Sequence, residues 1–322
     1  MKVAVKYCKK YLIIIGDKMN IYIKNAFINN MYNLKGSPAS VELVENIDDI
    51  EYMLYQTKKL KLPISVFLKK TNTENKFKVR YFIEDGEEPI CGHGTIVATQ
   101  FLLDNNLIDQ NHIQNIEYIP MFSNNKYGNN KQNNICAKIN KDSISIFIST
   151  IKTKIITEEK KQEIIKSISE INHEYFEILN IVEGEFDYTV EIKKSKFAQN
   201  KKISSLEVIK NITPNFDLIE NILLSNNKLC RGIDVLIRND DIKDKISCDY
   251  FTRIFLPLGA SPEFKEDPAC GSGSAYISRY LTEYNSKLIG KKLNFYQASN
   301  SGAFISTKTL DNNIIEVIGK VK

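Results

Sequence analysis

Cysteine is followed at once by glycine, a polar residue and a second glycine at two places in the chain, Cys91-Gly92-His93-Gly94 and Cys270-Gly271-Ser272-Gly273. An ionised thiol accepts a proton and a protonated one returns it, so two cysteines on opposite faces of a substrate carbon would invert its configuration. Each cysteine belongs to a longer repeat. The octapeptide Glu88 to Thr95 returns 179 residues later as Asp267 to Ser274, with Cys91 matching Cys270. Composition alone would give a Pro-x-Cys-Gly-x-Gly match roughly 3 times in 10,000 such chains, so the chain is a duplicated unit with one cysteine per copy.

Glycine on either side of a short polar residue, at a strand-to-helix turn, lets backbone approach a ligand closely, and N–H groups at a helix start form an anion site. A carboxylate suits that site, and the same field should ease ionisation of a thiol placed there. The catalytic candidates are therefore Cys91 and Cys270. The candidates for holding substrate are Gly92, His93, Gly94, Thr95, Asp267, Gly271, Ser272, Gly273 and Ser274. An isolated cysteine beside glycine at a helix start is ordinarily structural, and recurrence in both copies is what favours chemistry. A Cys91–Cys270 redox disulfide and a zinc ion on Cys91, His93 and Cys270 are weaker readings, since zinc generally wants a fourth ligand or an arranged water. His93 divides evenly between substrate contact and turn residue. Asp267 and Glu88 cap their turns or orient the thiols, capping being the stronger reading for Glu88. His112 and His173 read as solvated, and Cys8, Cys136, Cys230 and Cys248 as packing residues. No cofactor is expected, because the glycine spacing is neither a phosphate loop nor a dinucleotide fingerprint.

These motifs need strands before them and helices after them, and the pattern supplies both. Val79-Arg80-Tyr81-Phe82 precedes the first motif as Thr252-Arg253-Ile254-Phe255 precedes the second, and the segments Ile96 to Leu103 and Ala275 to Leu281 follow as helices. In the first copy the pattern predicts a strand at Ile21 to Phe27, a helix at Ile47 to Leu60 and strands at Ile64 to Lys69 and Lys76 to Phe82. In the second, Thr213 and Pro214 read as N-cap and first residue of a helix reaching Ser225, followed by strands at Ile233 to Ile237 and Tyr250 to Leu256. A further helix is expected at Thr157 to Ile171. The order helix, strand, strand, motif, helix occurs twice, which argues for an α+β protein rather than a parallel βαβ one. The expected division is an extension over residues 1–18, a first repeat domain over 19–134 plus 303–322, and a second over 135–302, with Asn-rich Ser123 to Asn134 as the linker.

A chain of 322 residues with 43% apolar and 26% charged side chains is ordinary for a globular protein of two domains. Its net charge of +5 is scattered, which gives no footprint for nucleic acid. Tyr11 to Ile15 is too short an apolar run for a membrane span, and six cysteines without CxxC spacing fit free thiols in a reducing compartment. The expectation is a cytoplasmic protein acting on a small amino acid or related carboxylate without nucleic acid or membrane, with a homodimer left open.

The run Arg80-Tyr81-Phe82 with Glu88-Pro89-Ile90-Cys91-Gly92-His93-Gly94-Thr95, and the run Arg253-Ile254-Phe255-Leu256-Pro257 with Glu266-Asp267-Pro268-Ala269-Cys270-Gly271-Ser272-Gly273, resemble the paired signatures of the PhzF-like isomerases of phenazine biosynthesis. Gly36-Ser37-Pro38-Ala39 resembles that family's early Gly-Asn-Pro-Ala turn, with Ser37 in place of Asn. The resemblance runs from about Met19 onward. It implies a diaminopimelate-epimerase-like fold, two similar domains each wrapping a sheet around a central helix, with the active site in the interdomain cleft. The chain departs from the family where the chemistry lies. The family's catalytic Glu falls on Ile64, which cannot carry a proton, whereas Cys270 stands where Thr or Ala is usual. The cysteine pair resembles that of diaminopimelate epimerases and proline racemases. The leading expectation is thus an amino-acid racemase or epimerase independent of pyridoxal phosphate. The alternatives are a PhzF-like isomerase using Asp267, His93 or Cys91 in place of Glu, and a catalytically silent carboxylate-binding protein.

Overall fold

A computed structural model describes residues 21–108, 115–122, 134–169, 173–225, 230–241, 246–258, 265–311 and 313–322. The expected extension, Cys8, His112 and all of the expected linker but Asn134 lie outside them, as do the last residues of the helix expected to reach Ile171. The described chain divides into two compact units. The first holds the chain up to Ala26, Ser37–Ile146 and Lys320–Lys322, and the second holds Phe27–Gly36 and Phe147–Gly319.

The first unit contains β1 (Tyr22–Ala26), β2 (Ser37–Leu43), α1 (Ile50–Leu60), β3 (Ser65–Lys70), β4 (Lys76–Ile83), β5 (Gly86–Glu88), α2 (Gly92–Asp104), β6 (Asn115–Pro120), β7 (Ile135–Ile139) and the start of β8 (Ile144–Ser149). Its strands lie in the order β1-β2-β3-β4-β6-β7-β8, with β5 on β4. Helix α2 packs on β1, β2, β3 and β7. Ile96, Val97, Phe101 and Leu102 share it with Gly92, Gly94, Ala98 and two threonines, all buried, the all-round pattern of a central helix.

The second unit contains β9 (Lys154–Ile155), α3 (Glu158–Ser169), β10 (Phe176–Glu183), β11 (Asp187–Lys194), α4 (Lys196–Asn200), α5 (Ser205–Lys210), α6 (Phe216–Ser225), β12 (Gly232–Arg238), β13 (Tyr250–Phe255), α7 (Gly271–Tyr284), β14 (Lys292–Gln297), β15 (Ala303–Thr309) and β16 (Ile314–Gly319). Its strands run β9-β10-β11-β12-β13-β14-β15-β16, and α7 packs on β11, β12, β15 and β16. Val182, Leu236, Ile254, Ile277 and Phe295 form the apolar layer around α7. Outside it, Ile164, Ile168, Ile219, Ile222 and Leu223 of α3 and α6 pack with Val190, Ile192, Val235 and Phe251 of the sheet.

The duplication is visible in the hydrogen bonds. Strand β2 runs parallel to β3, β3 antiparallel to β4, and β4 parallel to β6; β11, β12, β13 and β14 repeat this sequence. Each unit therefore carries two parallel crossovers within a mixed sheet. The expected contrast with βαβ connectivity was too sharp, because the motif helices are themselves crossover helices.

Three other readings change. Residues 303–319 belong to the second unit: β15 pairs with β14, and β16 with β15, in an antiparallel meander that hydrophobic alternation alone could not assign. Only Lys320–Lys322 lie with the first unit, where Asn25 and Lys322 exchange backbone hydrogen bonds of 3.0 and 3.1 Å. The break after residue 134 also moves, since β7 pairs with β6 in the first unit. Helix α6 is capped by Asn215, whose Oδ1 accepts from Leu218 N at 3.0 Å, rather than by Thr213. Asn is at least as strong a cap as Thr, and its choice leaves Pro214 ahead of the helix.

Candidate active site

Cys91 is the N-cap of α2. Its backbone is extended, and its half-buried Sγ accepts from Gly94 N at 3.4 Å. Its carbonyl accepts from Thr95 N at 2.9 Å and Thr95 Oγ1 at 2.8 Å, and Tyr81 donates to that hydroxyl at 2.6 Å. His93 is buried, 7% exposed, with Nδ1 3.3 Å from Cys91 Sγ and Nε2 3.4 Å from Ser37 Oγ. A doubly protonated imidazole there would donate to sulfur at one end and hydroxyl at the other, which favours the thiolate. Ser37 begins β2 directly after Gly36, whose φ of 65° is left-handed backbone that suits glycine. The early turn noted in the sequence thus supplies a polar contact to the first motif.

Cys270 is the N-cap of α7 in the same way. Its Sγ accepts from Gly273 N at 3.3 Å and lies 3.5 Å from Ser272 Oγ, while its carbonyl accepts from Ser274 N at 3.2 Å and Ser274 Oγ at 2.9 Å. Ser272 stands where the first copy has His93. Cys270 is only 3% exposed, and burial, then the charges of Asp267 and Asp234, push its thiol well above the usual range. Eased ionisation, expected for both thiols from the helix start, is overturned for Cys270 because desolvation and carboxylates outweigh the helix end. Asp267 Oδ1 accepts from Ala269 N at 2.8 Å, which makes it a cap of its own turn. The anion site is also narrower than four N–H groups per motif. In each helix the third and fourth are held by the cysteine's sulfur and carbonyl.

The repeated arginines fix the loops that carry the motifs. Arg80 donates from Nε to Ile47 O at 2.7 Å and pairs with Glu87 at 2.5 Å. Arg253 grips Glu266 with two bonds of 2.8 Å and donates to Ile212 O at 2.5 Å. Both tie the strand before the motif to the acid just ahead of it. Gln297, fully buried at the end of β14, accepts from Cys270 N at 2.8 Å and donates to Asp267 O at 2.5 Å, so one amide spans the second motif. No sequence signal singled it out, because its partner is backbone.

A family model described as phenazine biosynthesis-like protein matches residues 25–308. The chain belongs to the PhzC-PhzF family. An uncharacterized isomerase of Halalkalibacterium halodurans is 25% identical over 301 residues, covering 93% of this chain and 94% of that protein. A Bacillus anthracis PhzF-family structure superposes with a TM-score of 0.69 at 19% identity, over 94% of this chain and 95% of that one. A predicted epimerase from Pseudomonas aeruginosa gives 0.65 at 14% identity, over 94% and 95%. These likenesses establish the α+β epimerase-like fold expected from the motifs.

Against that family pattern, Ile64 is buried just ahead of β3 and offers only its carbonyl, which accepts from Ser40 N at 3.2 Å. Of the four cysteines read as packing residues, Cys230 is buried and Cys248 half-buried, but Cys136 is exposed on β7. His173 is exposed in a short turn after α3. No helix among the described residues is long and apolar enough to cross a membrane.

Proposed function

We propose that this PhzF-family protein is an isomerase that racemises or epimerises an amino acid without pyridoxal phosphate, using Cys91 and Cys270 as its two bases. The observation that carries the reading is the shared cap. In both copies a thiol sulfur, rather than a Ser or Asp oxygen, accepts the N–H of the third helical residue. A thiol is a weak hydrogen-bond acceptor and a poor choice for a cap that serves only stability. In the proposed reaction one thiolate takes the α-proton, the substrate carboxylate lies against the first N–H groups of the helices, and the other thiol protonates the opposite face. Each preorganised donor directed at developing charge is worth about 3 kcal/mol.

The test is solvent deuterium. Single L- and D-amino acids incubated in D₂O with the full-length protein should gain deuterium at the α-carbon and lose optical rotation. Cys91→Ala and Cys270→Ala should each abolish this, while Cys230→Ala and Cys136→Ala retain it. Full activity in either motif variant would reject the two-base mechanism. Family membership favours a second reading, proton movement along a small carboxylate substrate with His93 or Asp267 in place of the family's Glu. Isotope entering such a substrate with Cys270→Ala still active would select it.

A further inference from the structure

We propose that Asp234 is a positioning residue that keeps Cys270 in its protonated, proton-donating form. Asp234 sits in the middle of β12, is completely buried, and neither carboxyl oxygen has a hydrogen-bond partner. It is aimed at the first turn of α7. A methyl group added to Gly273 would lie 3.0 Å from Asp234 Oδ1 and 3.3 Å from Oδ2, and Gly273 N is the donor to Cys270 Sγ.

The duplication shows that the fold does not need an acid there. Cross-strand register pairs Val66 with Tyr81 and Asp234 with Ile254, each just after its repeated arginine, so Val66 and Asp234 are equivalent positions. The contact is equivalent too, since a methyl group added to Gly94 would lie 2.9 Å from Val66 Cγ2. One copy packs its motif glycine on valine and the other on an unpaired carboxyl. Burying such a group is unfavourable without a partner, and valine shows that the same backbone accepts an apolar side chain.

The groups facing this pocket are Asp187 on β11, Glu185 just ahead of it, Arg231 just ahead of β12, Asp267 before α7, and Cys270 and Tyr276 on α7. Arg231 is the cation among them, and it is paired with Asp187 at 3.1 Å. Burial, then Asp187 and Asp267, push Asp234 itself well above the carboxylate range, and burial also raises Asp187. A thiolate at Cys270 would add negative charge to this cluster, and Asp267 and Asp234 both oppose it. The first copy has valine at that position and an imidazole beside its sulfur. The inference rests on the racemase reading only for the role it gives the proton: Cys270 gives its S–H proton to the substrate carbanion after Cys91 has taken the α-proton, and water restores both sulfurs.

The test titrates the thiol in the full-length protein, without substrate. Thiolate ultraviolet absorbance is followed against pH in the parent and in Cys270→Ser, whose difference isolates Cys270, and then with Asp234→Asn or Asp234→Val added to both. Each substitution should lower the Cys270 midpoint by about one pH unit, a tenfold rise in thiolate fraction below it. An unchanged or raised midpoint overturns the proposal. So does loss of folding in both variants, which would make Asp234 structural. A lowered midpoint in a protein that exchanges no α-proton would retain the inference and reject the racemase, so the two failures are distinct.

Discussion

His93 holds in the first copy the place that Ser272 holds in the second, and the exchange decides what each sulfur can do. An imidazole 3.3 Å from Cys91 stabilises negative charge, whereas a hydroxyl 3.5 Å from Cys270 cannot offset two nearby carboxylates. His93→Gln should therefore slow alkylation of Cys91 by iodoacetamide at neutral pH about tenfold, measured site by site by mass spectrometry, and Ser37→Ala should slow it less. Equal rates in the parent and His93→Gln would show that the ring does not act on the sulfur. The two thiol caps, with His93 beside one of them, were legible as a pair of matching turns because the motif that carries them repeats. Asp234 and Gln297 were not, since a carboxyl inside an apolar strand and an amide bonded to backbone carry no local pattern.

At the scale of elements, the strand-to-motif arginines and the helix caps carry separate loads. Arg80 is 4% exposed and its partner Glu87 6%, so Arg80→Met would strand a buried carboxylate. The expected loss is about 3 kcal/mol in urea unfolding, and a loss near zero would show that the pair is dispensable. At α6, Asn215→Ala should lose about 1 kcal/mol while Thr213→Ala loses almost nothing. The reverse order would restore the cap read from the sequence. Elements with strong periodicity, such as α1 and β4, were legible to within a few residues, and Asp49 caps α1 with its Oδ1 accepting from Tyr52 N at 3.0 Å. The parallel crossovers were not, because the polarity of a strand against its neighbour is set by partners far away in the chain.

For the whole molecule, Asp234 links stability to pH. Its folded-state pKa is raised, so the folded protein keeps a proton that the unfolded chain releases near pH 4, and stability falls as pH rises above that point. Asp234→Asn should remove this loss. The variant should be more stable than the parent at pH 7 by about 1–3 kcal/mol, and the gap should narrow toward pH 4. A gap independent of pH would mean that Asp234 ionises in the folded state as readily as in the unfolded chain.

The pairing of Asn25 with Lys322 bears on biosynthesis. A ribosome delivers β1 and the rest of the first unit's strands early, yet the segment that pairs with Asn25 follows β16, after the second unit's last strand. The first unit to begin folding is therefore completed only after the second unit's last strand has been made, and until then a nascent chain must hold it with one edge still open.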